Sequence, residues 1–225
     1  MTNILLDWLN IDEEPFYSEI GQYIKPGHLV CAVPFSFRDC DAKNSEDWDD
    51  LWGKDSGHYY RRMVDPFLAF GIGEDQISFV NYFTDSARAA KEKILSADVL
   101  LFPGGLPERM MDRLEEFGLR DTITGHRGVI MGYSAGALIQ LDEYHVSPDD
   151  EDYAEFSYFR GLPFLNDFYL EVHYEGTDVQ NSSIKRIIEE RGKKVYAIEN
   201  GKGALIASGG RVKPIGSVHC FGSER

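Results

Sequence analysis

An α/β domain built on a largely parallel sheet is the fold this sequence predicts, on three observations. Short apolar runs alternate with helix-period segments from Ile77 to Leu141. Two of those runs end in glycine-rich turns that lead directly into helical stretches. The chain has 225 residues, 43% hydrophobic and 27% charged, enough for one sizeable domain over 1–225 and short for two. Helices are expected on both faces of the sheet, giving three layers.

In order along the chain, Asn3-Ile4-Leu5-Leu6-Asp7 reads as a first strand and His28 to Pro34 as a second. Cys40 to Tyr60 is rich in Asp, Ser, Gly and Trp without clear periodicity. It is expected to be a long surface loop, or the approach to a helix through Arg61 to Leu68. Loops of that length tend to be lids or binding loops. Trp48, Trp52, Tyr59 and Tyr60 could wall a cleft there, although docking onto the core is the favoured role for any one of them. Gln76 to Asn81 is the third strand, followed by a helix over Ala87 to Ile94.

Asp98 to Phe102 reads as a buried strand running into Pro103-Gly104-Gly105-Leu106-Pro107-Glu108. The helix after it, Met110 to Phe117, is punctuated by Pro107 near its start and Gly118 after its end. Val129-Ile130-Met131 then leads through Gly132-Tyr133-Ser134-Ala135-Gly136-Ala137 into the helix-compatible Leu138 to Leu141. Beyond it, 142–159 is acidic and aromatic, with Asp149 to Asp152 expected as a solvated turn. Phe168 to Tyr174 is a strand in which alternation points Glu171 and His173 to one face. A helix over Ser183 to Glu190, a strand through Lys194 to Gly201 and a hairpin from Ala204 to Val212 complete the order.

Chemistry concentrates at Ser134. A serine on a sharp strand-to-helix turn, flanked by small residues, faces the free N–H groups of a helix start, which suit a developing oxyanion. Gly-x-Ser-x-Gly also closes ordinary βα turns, so the motif alone is only moderately specific. The Gly104-Gly105 turn strengthens the nucleophile reading, because in a parallel sheet both turns lie at the carboxyl edge. A serine needs a base, and His173 and His219 are both candidates. A C-terminal histidine such as His219 matches the order of α/β-hydrolases.

The formal net charge of −15 and the pI near 4.8 argue against nucleic-acid and anionic-membrane partners. No basic leader and no apolar run near the ~20 residues of a membrane span are seen. Cys31, Cys40 and Cys220 fit a reducing, cytoplasmic setting. The six histidines lack metal-ligand spacing, and neither metal nor other cofactor is expected.

Phe102-Pro103-Gly104-Gly105, Gly132-Tyr133-Ser134-Ala135-Gly136-Ala137, and Gly161-Leu162-Pro163-Phe164-Leu165 with Val172-His173-Tyr174 together resemble the peptidase E and cyanophycinase family in order and approximate spacing. The resemblance covers roughly Val99 to Leu205. It implies a serine peptidase or related amidohydrolase on a class I glutamine-amidotransferase-like fold, acting on small, aspartyl-type peptides. It further implies Ser134 as nucleophile, His173 as base, and the Gly105 and Ala135 N–H groups as oxyanion hole. Glu199, in the loop after the next strand, is the implied third member, with Glu171 and Glu175 as competitors. Leu106 and Pro107 depart from the family where a polar residue often follows the Gly-Gly pair, and Lys185 or Arg186 would match the basic residues found after the histidine. The rival readings are an α/β-hydrolase-like esterase using Ser134 and His219, and a catalytically silent binding module on the same scaffold.

Overall fold

Runs of aliphatic and aromatic residues set the strands, and the computed structural model describes residues 1–54, 56–149 and 151–222. Its strands are β1 (Thr2–Leu6), β2 (Val30–Ala32), β3 (Ile77–Phe79), β4 (Val99–Phe102), β5 (Val129–Tyr133), β6 (Glu143–Val146), β7 (Ser157–Arg160), β8 (Phe168–Tyr174), β9 (Lys194–Ser208) and β10 (Arg211–Phe221). The helices are α1 (Phe16–Ile20), α2 (Ser45–Trp52), α3 (Tyr60–Leu68), α4 (Ala87–Ser96), α5 (Pro107–Glu116), α6 (Arg120–Thr124), α7 (Ala135–Leu138) and α8 (Asp178–Arg191).

The main sheet runs β10-β9-β1-β5-β4-β2-β3, and β8 joins it by pairing with β9. Neighbours from β1 to β3 are parallel, β9 is antiparallel to β1 and β10, and β8 is parallel to the first half of β9. A small antiparallel ribbon, β6 with β7, stands apart. The fold is thus the expected α/β architecture, with an antiparallel edge contributed by the expected hairpin.

Alternation along the central strands sends side chains to two separate cores. Leu5, Leu100 and Phe102 pack with Ala90 and Ile94 of α4 and with Met110 and Leu114 of α5. On the other face Ile4, Leu6, Val99 and Leu101 meet Phe16 and Ile20 of α1, Trp48 and Trp52 of α2, and Met63 and Phe67 of α3. The sheet is therefore covered on both sides, as expected.

Within 40–60 the sequence reading is corrected: the segment holds α2 rather than a continuous loop. Asn44 caps it by accepting from the Glu46 and Asp47 N–H groups, and Trp48 and Trp52, one turn apart, form its buried face. Five acidic or hydroxyl residues over eight positions hid that two-residue apolar stripe. Of the acidic turn read at 149–152, Asp150 lies outside the described residues. Among the described residues, no helix is long and apolar enough to cross a membrane.

Candidate active site

Because β1, β2, β4 and β5 are parallel, the residues that follow them reach one edge of the sheet. Asp7 follows β1, Ser36 and Phe37 lie beyond β2, Gly104 and Gly105 follow β4, and Ser134 follows β5. Leu6 is in register with Tyr133, so Asp7 and Ser134 emerge side by side. His173 arrives at the end of β8.

Ser134 turns the chain from β5 into α7 at φ 51° and ψ −118°, and its own N–H donates to the Leu6 carbonyl at 3.0 Å. Outside glycine, positive φ occurs among the described residues only at Ser134 and at His173, φ 52°. Such conformations cost on the order of 1–3 kcal/mol each and persist where the surroundings over-determine them. Gly136 makes the tight turn possible, since a Cβ there would run into the Phe102 carbonyl.

The two strained residues meet. His173 Nε2 lies 2.9 Å from Ser134 Oγ, and His173 Nδ1 lies 3.0 Å from Asp7 Oδ1. The same Oδ1 accepts the His173 backbone N–H at 2.5 Å, while Oδ2 accepts the Gly201 N–H at 2.6 Å. The Asp7 side chain is fully buried, so these donors replace its water. Burial pushes the His173 pKa down, but its hydrogen bond to Asp7 and the Asp7 charge outweigh this and hold it above the ordinary value. With Asp7 holding the proton on Nδ1, the Nε2 lone pair faces the serine hydroxyl. Trp8 sets its ring edge-on to the imidazole, 6.0 Å between centroids, and donates from Nε1 to Asn200 Oδ1 at 2.9 Å.

Ala135 opens α7, so its N–H is among the donors a helix start leaves without an intrahelical partner. Gly105 stands opposite at φ 131°, lining the cavities on both sides of Ser134. A side chain at Gly105 would strike the Ser36 carbonyl. Ser36 clips this turn twice: its Oγ donates to the Gly104 carbonyl at 2.5 Å and its own carbonyl accepts the Leu106 N–H at 2.7 Å. Arg113 in turn fixes the Ser36 segment. Its buried guanidinium donates to the Phe35 and Phe37 carbonyls at 2.6 and 2.7 Å and to Asp39 at 2.8 Å, and lies 3.6 Å from the Phe37 ring centroid.

The other predicted acids go elsewhere. Glu199 accepts from His219 Nε2 at 2.8 Å and pairs with Lys202 at 3.5 Å, so geometry gives the expected place of Glu199 beside His173 to Asp7. The reason is alternation along β9: Ala197 stands opposite His219 in β10, and Glu199, two residues on, falls on the same face. His219, the alternative base, is thereby occupied by Glu199. Glu175 accepts from Asn200 at 3.0 Å, and Glu171 is buried against His145 at 2.6 Å and Ser147 at 2.8 Å. Lys185 and Arg186 pair along α8 with Glu189 and Glu190. Among the described residues, no group of three His, Cys, Asp or Glu side chains is placed to hold a metal ion.

The model of peptidase family S51 matches residues 52–215. Among solved structures, the chain is similar to a protein from Listeria monocytogenes EGD-e described as a candidate peptidase E, with TM-score 0.66, 18% identity, and 96% of this chain and 98% of that one covered. It is also similar to a peptidase from an acI-B1 Actinobacterium, with TM-score 0.65, 15% identity, and 100% and 95% of the two chains covered. No curated protein gives a significant sequence match.

Proposed function

The chain belongs to peptidase family S51, the serine peptidases, and from that premise we propose that it hydrolyses small peptides through Ser134, His173 and Asp7. Ser134 Oγ attacks the scissile carbonyl while His173 Nε2 takes its proton. The N–H groups of Gly105 and Ala135 hold the oxygen as it becomes negative, already oriented before charge develops. His173 then returns the proton to the leaving amine. A water, deprotonated by the same imidazole, attacks the acyl carbon, and the imidazole passes that proton to Ser134 Oγ as the acyl–oxygen bond breaks and the acid leaves. Asp7 holds the tautomer and stabilises the imidazolium formed in both steps.

One observation carries this reading: a single imidazole lies 2.9 Å from the serine hydroxyl on one nitrogen and 3.0 Å from a buried carboxylate on the other. Such an arrangement favours turnover over a silent binding module. The esterase reading with His219 has no comparable support, since that imidazole is held by Glu199.

The test is covalent labelling by a fluorophosphonate, mapped by mass spectrometry, beside a hydrolysis screen of dipeptides. Labelling should fall on Ser134, vanish in Ser134→Ala and collapse in His173→Ala. Unchanged labelling in Ser134→Ala would overturn the assignment.

A further inference from the structure

Two cavities meet at Ser134, and they differ in character. The one beyond Ala135 has the acids Asp149, Glu151, Asp152 and Glu171 among its walls, together with aliphatic residues such as Leu138 and Leu170, and shares Arg38 and Gly105 with the other. The other, about 270 Å³, lies on the α2 side and opens between Ser134, His173 and Gly105. Its walls are Trp8, Phe37, Leu51, Trp52, Tyr59 and Tyr133. Trp8 and Tyr59 are 51% and 39% exposed, placing two large aromatic surfaces in water at its mouth. Trp52 is held from behind, 5.6 Å from the Phe37 ring and 5.5 Å from Trp48, so the inner wall is fixed.

Charge in this cavity does not suit an acidic side chain. Among its described lining residues Arg38 is the one cation, and it is committed to Asp152 at 2.5 Å and Glu151 at 3.5 Å. Arg62 lies over the Tyr59 ring at 6.0 Å and is not among the walls. Asp7 sits inside with its carboxylate hydrogen-bonded, and Asp41 stands at the exposed rim. A carboxylate entering here would have to compete with Asp152 and Glu151 for Arg38 and would share the cavity with Asp7 and Asp41.

We propose that this cavity is a side-chain subsite for an aromatic or large aliphatic residue next to the scissile bond, so that the enzyme prefers such peptides to aspartyl ones. The inference rests on Ser134 being the nucleophile. Its volume, just below that of drug-sized clefts, fits one large side chain, and rigid aromatic walls give area and ring-edge contacts to an apolar occupant.

The experiment measures protection of Ser134 from fluorophosphonate labelling by dipeptides that carry Phe, Leu, Ala, Asp or Lys at either position flanking the peptide bond, with hydrolysis followed in parallel. At one of the two positions, Phe and Leu should protect at least tenfold better than Ala, Asp or Lys. Tyr59→Ala and Trp8→Ala, both changes at exposed rings, should each lower the Phe-to-Ala ratio at least threefold within the same variant. Preference for Asp or Lys, equal protection by all peptides, or ratios unchanged in both variants would overturn the subsite. Failure of Ser134 to label at all would overturn the nucleophile assignment, and this inference with it.

Discussion

Asp7→Asn is the sharpest perturbation of the site. The carboxylate serves three donors: the His173 and Gly201 backbone N–H groups on different oxygens, and His173 Nδ1. An amide keeps one acceptor oxygen, so in either orientation its NH2 meets a donor. One buried N–H is left unsatisfied, at about 1–3 kcal/mol of stability. The catalytic loss is larger, because the charge that stabilises the imidazolium is gone and, when the NH2 faces Nδ1, the proton is forced onto Nε2, which then cannot accept from Ser134. Loss of the orienting carboxylate in a serine triad costs about 10⁴-fold in kcat, or about 5 kcal/mol. We therefore expect a 10³- to 10⁴-fold slower labelling of Ser134 beside a modest fall in Tm. The Tm loss has its own pH sign. His173 is raised in the folded state, so its pair with Asp7 stabilises fully below the unfolded pKa and fades as pH rises through the folded one. The penalty should be larger at pH 5.5 than at pH 8.5. Glu199→Gln is the control and should stay within about threefold of wild type, since surface pairs contribute little. Near-native labelling in Asp7→Asn, with severe loss in Glu199→Gln, would refute the assignment of the third residue.

Three further outcomes are expected. Ser134→Gly should abolish labelling yet raise stability by roughly 1 kcal/mol in chemical denaturation, since glycine accepts φ 51° without strain; marked destabilisation would mean the elbow is not strained. Gly105→Ala should slow labelling at least about 100-fold, the scale of losing an oxyanion donor, because its Cβ would displace the turn from Ser36; an effect under threefold would remove Gly105 from the hole. In the wild-type protein, kcat/KM should fall as pH drops through a midpoint above the ordinary histidine value of about 6.5, because the protonated imidazole cannot accept from serine, and that midpoint should move down in Asp7→Asn. A midpoint unmoved by the substitution would show that another group limits the rate.

The fold was legible because its signals are local. Apolar runs of strand length, glycine turns and helix punctuation survive in any reading of 77–141, and the Ser134 elbow with its small neighbours is such a signal. His173 stood out as a strand-end residue. The acid was not legible in the same way: its place depends on which strand lies beside β5, a non-local pairing that local patterns do not encode. The available clue was a lone Asp directly after the first apolar strand, at what becomes the carboxyl edge. Glu199 answers to the family's acidic position by resemblance, but alternation along β9 puts its carboxylate on the face of His219. Ser36 and Arg113 escaped because their work, clipping one loop to another, is visible only when both loops are in place.

The placement of β9 bears on how the enzyme comes into being at the ribosome. β8, which carries His173, pairs in the sheet with β9, and β9 also flanks β1, from whose end Asp7 projects. A nascent chain that has exposed Ser134, His173 and Asp7 but not yet Lys194 to Ser208 can align Asp7 with Ser134 through β1 and β5, yet lacks the strand that seats β8, and with it His173, beside them. Domains fold during synthesis as their parts emerge, and here β9 is the part that ties β8 to β1. On the proposed triad, the pairing of His173 with Asp7 and Ser134 therefore waits for Lys194 to Ser208 to emerge.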